Sequence, residues 1–98
     1  MRRVVITGVG AVSPLGLTAQ QSWKNCINGV SGVGPISLFD ASDFLVKIAC
    51  EAKDFDPKQF MTPSKVRRRD RCQQLAATAA FEAMQHSGLE ISEKNAYR

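Results

Sequence analysis

The stretch that most constrains this chain lies at its start, where residues 2–16 read RRVVITGVGAVSPLG. Its first part, Val4–Thr7, is a β-branched run in which apolar and polar residues do not alternate. Such a run is typical of a strand covered on both faces. We therefore predict a strand over residues 4–7 in the interior of a layered domain, and exposure of this run to water would contradict that placement.

A loop rich in glycine follows the predicted strand. Three glycines and one proline fall within nine residues: Gly8, Gly10, Pro14 and Gly16. They predict a constrained loop with several positions free to adopt a positive φ. A dinucleotide-binding loop is one alternative, but Ser13 stands where its third glycine would be, and the next helix begins only near Thr18. That distance places the helix amides too far along the chain to receive a phosphate, so this alternative is disfavoured.

The first helix is predicted from Thr18, which has the Thr-x-x-Gln pattern of a capping box with Gln21. Gly29 is placed to end it in the left-handed conformation. The apolar residues spaced as one helical stripe are Trp23, Cys26, Ile27 and Val30. We interpret Trp23 as a core anchor that lays this helix on a sheet rather than as a ligand platform.

The second half of the chain predicts a short strand and a long helix. Residues 31–35 form a turn-rich connector, and residues 47–52 are predicted as the short strand. The long helix begins near Pro63, with Thr62 and Ser64 as alternative caps, and ends at Gly88. Its stripe of small residues predicts close approach to a neighbouring element: Cys72, Ala76, Ala79 and Ala83.

Positive charge is concentrated at the start of that predicted helix. The net charge is +4, and five basic side chains around Asp70 account for all of it: Lys65, Arg67, Arg68, Arg69 and Arg71. Cations at a helix N-terminus cost roughly 0.3 to 1 kcal/mol each, so an acidic partner explains them better than local stability does. A nucleic-acid partner is the alternative, but no aromatic residue is interleaved for base stacking.

Other candidate reactive groups favour structural roles. The three cysteines are odd in number and show no CxxC spacing, which predicts reduced, packed thiols and no metal site. Asp54 and Asp56, beside Pro57, are interpreted as a cap or solvated turn rather than as an acid–base pair or metal ligands. His86 is interpreted as a helix-end residue and not as a general base. No cofactor is indicated.

Targeting signals are not apparent in these residues. Only about six apolar residues follow the two N-terminal arginines, too few for the apolar region of a secretory signal. No apolar run approaches the roughly 18 residues needed to span a membrane. We therefore expect a soluble, cytoplasmic protein without a membrane partner.

The opening RRVVITGVGAVSPLG and the tail LEISEKNAYR resemble the β-ketoacyl-[acyl carrier protein] synthases, most closely the bacterial synthase II type. The resemblance runs from residue 2 to residue 98. It implies an α/β chain, the N-terminal part of a thiolase-like fold of five α/β/α/β/α layers, contributed here as strand, helix, short strand and long helix. It further implies that residues 1–98 are an incomplete N-terminal segment of the synthase N-terminal domain.

The resemblance also implies a function for the intact protein. That protein is expected to be a homodimeric acyltransferase that condenses an acyl thioester with malonyl carrier protein in fatty acid or polyketide synthesis. No catalytic residue of the family falls within residues 1–98, so this chain alone is expected to be inactive, and we expect it to fold poorly in isolation. A non-condensing partner subunit of the same fold is the alternative.

The resemblance assigns carrier-protein docking to three residues. Arg67 and Arg68 match basic positions of the helix that receives the acidic acyl carrier protein, and Lys65 lies one residue from a third. Arg69 stands where methionine is common in the family, and Cys72 departs from its pattern as well.

Overall fold

A computed structural model describes residues 1–96 of the chain. Two longer helices and one shorter helix surround a small hairpin. In chain order the elements are α1 (Ala19–Ile27), β1 (Val33–Pro35), β2 (Ile48–Cys50), a 3₁₀ turn (Pro57–Gln59), α2 (Pro63–Arg67) and α3 (Arg71–Ser87). β1 and β2 pair antiparallel, with Gly34 opposite Ala49. No helix within this range is long and apolar enough to cross a membrane.

The helix ends follow the local sequence signals. The Thr18 hydroxyl accepts a hydrogen bond from the Gln21 amide at 3.1 Å and caps α1. Gly29 (φ 70°) and Gly88 (φ 67°) adopt the left-handed conformation after α1 and α3. Thr62, rather than Ser64, caps α2. The three predicted helix starts and stops that depend on neighbouring residues alone are therefore confirmed.

The predicted interior strand at residues 4–7 is wrong for this chain. Val4, Val5 and Ile6 are 93%, 65% and 86% exposed, and the segment forms no regular strand. A strand requires hydrogen bonds from a neighbouring strand. In residues 1–96, β1 and β2 pair with one another and leave residues 4–7 without a neighbour.

Two further predictions about packing are also wrong. Trp23 is 66% exposed and Ile27 is 62% exposed, so the apolar stripe of α1 faces solvent instead of anchoring that helix on a sheet. The hairpin strands have three residues each, too few to cover that stripe. The three cysteines are free, as predicted, but they are exposed rather than packed.

The small residues of α3 do provide a close approach. A Cβ added to Gly8 would lie 2.6 Å from the Ser87 amide nitrogen, and one added to Gly10 would lie 2.7 Å from that of Ala83. Real Cβ atoms do not approach other atoms that closely, so the loop after residue 7 runs directly along the helix. The predicted stripe is confirmed as a contact surface. Gly8 and Gly10 serve close approach and not, as we predicted, a positive φ.

The buried core is small. Its buried residues are Ala41, Phe55, Gln74 and Thr78. The accessible surface is 8349 Å², whereas a compact monomer of this mass has about 5,500 Å². The radius of gyration is 16.9 Å against about 13 Å for a compact domain of this length. Most apolar side chains of the chain are therefore in contact with solvent.

Candidate functional site: the basic segment between two helices

The exposed cations predicted as a docking site lie on and just after a short helix. Lys65 and Arg67 belong to α2, and Arg68 follows its last residue; all three side chains are exposed. Pro63 occupies the first helical position, and the Thr62 hydroxyl accepts from the Lys65 amide at 3.4 Å. We call Lys65, Arg67 and Arg68 the basic cluster.

The predicted long helix is interrupted beside the basic cluster. α2 ends at Arg67, and α3 starts at Arg71 with Asp70 as its N-cap. Gln73 Oε1 accepts from the Asp70 amide at 3.1 Å, which closes the first turn of α3. The single helix from residue 63 to residue 87 is therefore wrong, because the Asp-x-x-Gln pattern begins a new helix there.

This interruption changes the electrostatics of the basic cluster. Arg67 and Arg68 now lie at the C-terminal end of α2, where the helix dipole favours positive charge, and Asp70 lies at the N-terminus of α3, where it favours negative charge. The predicted mismatch between the arginines and a helix dipole is absent. The dipole argument for an acidic partner consequently fails, and the exposure of the three side chains remains.

Gln74 holds the two helices together at the interruption. Its Nε2 donates to the Val66 carbonyl at 3.1 Å and to the Arg69 carbonyl at 3.2 Å. The side chain is buried, as is Thr78 one turn later, whose hydroxyl donates to the Gln74 carbonyl at 2.9 Å. A five-residue helix is marginal by itself, so these bonds fix the position of the basic cluster.

The other two arginines of the basic run have partners in the chain. Arg71 Nη2 donates to the Ala52 carbonyl at 3.3 Å, and its guanidinium lies 5.1 Å from the centre of the Phe55 ring. Arg69 Nη1 approaches Met61 Sδ at 4.0 Å. Their positive charges therefore serve packing, and the exposed charge belongs to the basic cluster alone.

A carboxylate beside Arg71 organises the loop after β1. Glu51 Oε1 accepts from the Ser37 amide at 3.0 Å and from its hydroxyl at 2.9 Å, and Oε2 accepts from the Leu38 amide at 3.2 Å. The Ser37 hydroxyl above all, opposed by some desolvation and aided by the two amides and the charge of Arg71, lowers the pKa of Glu51.

A second carboxylate occupies the amino end of α1. Glu82 Oε1 accepts from the Ala19 amide at 2.8 Å, and its Oε2 accepts from the Ala11 amide at 3.2 Å. His86 Nδ1, one turn later, accepts from the Val9 amide at 3.1 Å. These bonds fasten the glycine loop to α3. The chain's own carboxylate thus takes the place where the disfavoured dinucleotide reading would put a phosphate.

The remaining candidates behave as structural residues. Asp56 caps the 3₁₀ turn, with Oδ1 accepting from the Lys58 amide at 3.0 Å, and Asp54 lies exposed with φ 60°. His86 holds the loop as described. Among the described residues no three His, Cys, Asp or Glu side chains gather as a metal site.

Gln74 and Glu82 are the two positioning residues that the sequence analysis missed. Glu82 acts on amides 63 and 71 positions away, and no local pattern announces such a contact. Gln74 had a signal, since the Asp-x-x-Gln start of α3 places it one residue after Gln73 and next to the interruption.

Comparison with known proteins places this arrangement among condensing enzymes. A solved structure titled the ishigamide ketosynthase/chain length factor superposes with a TM-score of 0.82 at 35% identity, covering 91% of this chain and 22% of the other. The fold is therefore that of part of a ketosynthase, a thiolase-like α/β protein.

The family follows from the sequence comparisons. Residues 1–97 match the family model of the beta-ketoacyl synthase N-terminal domain. The 3-oxoacyl-[acyl-carrier-protein] synthase 2 of Coxiella burnetii is 48% identical over 97 residues, and that of Synechocystis is 42% identical over 95 residues. These matches cover 99% and 97% of this chain but 23% of each relative. The chain belongs to the beta-ketoacyl synthase family and spans about a quarter of the length of these relatives.

Proposed function

We propose that this chain is a segment of a 3-oxoacyl-[acyl carrier protein] synthase, in which it contributes scaffold and a docking surface for the acyl carrier protein. The relatives that carry this name in two bacteria support the parent activity. In that activity an acyl group passes from a carrier thioester to a cysteine and is then joined to decarboxylated malonyl carrier protein. The intact enzyme is proposed to be a homodimer.

The chain itself is proposed to supply no catalytic group. The three cysteines are separated among α1, β2 and α3, and the cleft that His86 lines contains no cysteine. His86 Nδ1 already accepts a hydrogen bond from Val9, which leaves that nitrogen without a free lone pair for proton transfer. Condensing chemistry is therefore assigned to residues outside this chain.

The observation that carries the docking proposal is the exposure of the basic cluster. Lys65, Arg67 and Arg68 project from one short segment that Gln74 holds in place. Complementary charge of this kind mainly raises the association rate and sets the orientation of an acidic partner. The same charges have no counterpart in the hydrogen-bonding network that involves Arg71.

Charge reversal tests the docking proposal. We expect the double variant Arg67→Glu with Arg68→Glu to weaken binding of acyl carrier protein about tenfold or more at low ionic strength, chiefly through a slower association rate. Surface plasmon resonance measures both rate constants. The matched control is Lys24→Glu with Lys94→Glu, which changes the net charge equally at two other exposed lysines. Equal effects of the two double variants, or no effect of the first, would remove the docking proposal.

A second candidate is a segment of a non-condensing partner subunit. The solved relative pairs a ketosynthase with a chain length factor by its title, so both kinds of subunit fit this portion of the fold. The gene region that encodes the residues after position 98 distinguishes them, because a condensing subunit needs its nucleophilic cysteine there.

A further inference from the structure

An aromatic cleft opens beside the basic cluster. It has a volume of about 450 Å³, enough for a large side chain, and lies between the segment after the 3₁₀ turn and the face of α3. Phe60 and Phe81 line it and are 44% and 59% exposed. We call it the Phe60–Phe81 cleft.

One wall of the cleft is rigid. Phe60 stacks on Phe55 with ring centres 5.8 Å apart and planes 9° from parallel. Phe55 is only 7% exposed and has the guanidinium of Arg71 against its ring. Phe60 is therefore supported from behind and presents its remaining surface to the cleft. A preformed apolar wall of this kind lowers the entropic cost of receiving a partner group.

The rim of the cleft is positively charged. Lys58, Lys65 and Arg69 line it, and the lining contains no aspartate or glutamate. The contact between Arg69 Nη1 and Met61 Sδ places one guanidinium over a second apolar lining residue. Lys65 belongs to the basic cluster as well, so the cleft and the cluster form one continuous surface.

We infer that the Phe60–Phe81 cleft receives an apolar side chain from the acidic helix of the docking partner, whose flanking carboxylates meet Lys58, Lys65 and Arg69. This inference rests on the proposed docking function and adds an apolar anchor to it. Charge alone gives orientation and association rate, whereas a desolvated apolar anchor slows dissociation. An acidic protein surface fits better than a nucleic acid because the stack on Phe55 already occupies one face of Phe60, which leaves less ring surface for bases.

The methionines supply a direct probe of the cleft. The chain has three, of which Met61 lines the cleft while Met1 and Met84 do not. We expect titration of chain labelled with ¹³C-methyl methionine by unacylated acyl carrier protein to shift the Met61 methyl resonance and leave the other two unchanged. Single-stranded DNA is titrated in parallel, and a Met61 shift with DNA but not with the carrier would overturn the inference.

Two phenylalanine variants test the energetic contribution. Phe81→Ala is expected to weaken carrier binding about tenfold, mostly through faster dissociation. Phe39→Ala is the control, because Phe39 has a similar exposure (57% against 59%) and lies outside the cleft; we expect it to leave binding unchanged.

The outcomes separate this inference from the docking proposal. If Arg67/Arg68 reversal weakens binding while Met61 stays silent and Phe81→Ala binds normally, the cleft inference is overturned and the docking proposal survives. If the Met61 methyl shifts equally with and without the Arg67/Arg68 reversal, the docking proposal fails and the inference built on it falls too. A Met61 shift that is lost on charge reversal, together with faster dissociation from Phe81→Ala, supports both.

Discussion

Single carboxylates do much of the organising in this chain. Glu51 receives three hydrogen bonds from Ser37 and Leu38, and Glu82 receives two from Ala11 and Ala19. Each joins segments that are distant in sequence. In a chain with so small a buried core, such charge-assisted bonds to backbone amides replace part of the missing apolar contact.

The Glu51 contacts should depend on pH. The pKa of Glu51 in the folded chain lies below its ordinary value of 4.5, so its contribution to stability is present above that value and is lost as the pH falls through the lower, folded value. We expect the Ser37 and Leu38 amides to lose hydrogen-exchange protection over that acidic range. NMR measurement of exchange at each pH checks this.

The control for the pH prediction is Glu51→Gln. Glutamine retains an acceptor oxygen but does not titrate, so the acid-dependent loss at Ser37 and Leu38 should disappear, with lower protection at neutral pH. Protection in the unmodified chain that stays constant from neutral pH to below the folded pKa would contradict the assignment of these bonds to the carboxylate.

At the level of elements, the contact between the glycine loop and α3 is the closest in the molecule. We expect Gly10→Ala to lift this loop from the helix, because its Cβ would overlap the Ala79 carbonyl and crowd Ala83. Overpacking of this kind costs about 1 to 3 kcal/mol. The Val9 and Ala11 amides, which His86 and Glu82 hold, should then exchange at least about tenfold faster.

The matched control for Gly10→Ala is Gly34→Ala in β1. A Cβ there meets only the flexible end of Lys53, at 3.6 Å, so the substitution should leave exchange at Val9 and Ala11 unchanged. Similar exchange rates in both variants would show that the loop does not depend on close approach to α3.

The elements also show which parts of the fold a sequence can predict. Caps at Thr18 and Thr62 and the stop at Gly88 depend on atoms within a few residues, and they were predictable. The exposure of residues 4–7 and Trp23 was not, because burial depends on partners elsewhere in space. The docking residues were located by charge, but only the tertiary contacts of Arg71 and Arg69 separate them from the rest of the basic run.

The whole molecule exposes far more apolar surface than a compact domain of its size. Residues 4–6, the α1 stripe and the loop between the strands together present a broad apolar surface to solvent. Hydrophobic burial is the main force that stabilises a folded chain, and here it is largely unused. The local contacts described above are thus expected to form with limited mutual cooperativity.

We therefore expect the isolated 98-residue chain to lack a cooperative thermal transition. Calorimetry should show no peak approaching the roughly 0.7 kcal/mol per residue of globular domains, and Trp23 fluorescence should already resemble that of a solvated indole before urea is added. Sedimentation must accompany both measurements, because self-association would bury the same apolar surface. A sharp, reversible melt of a monomeric species would contradict this expectation, since the exposed runs at residues 4–6 and on α1 would then have to be covered within the chain itself.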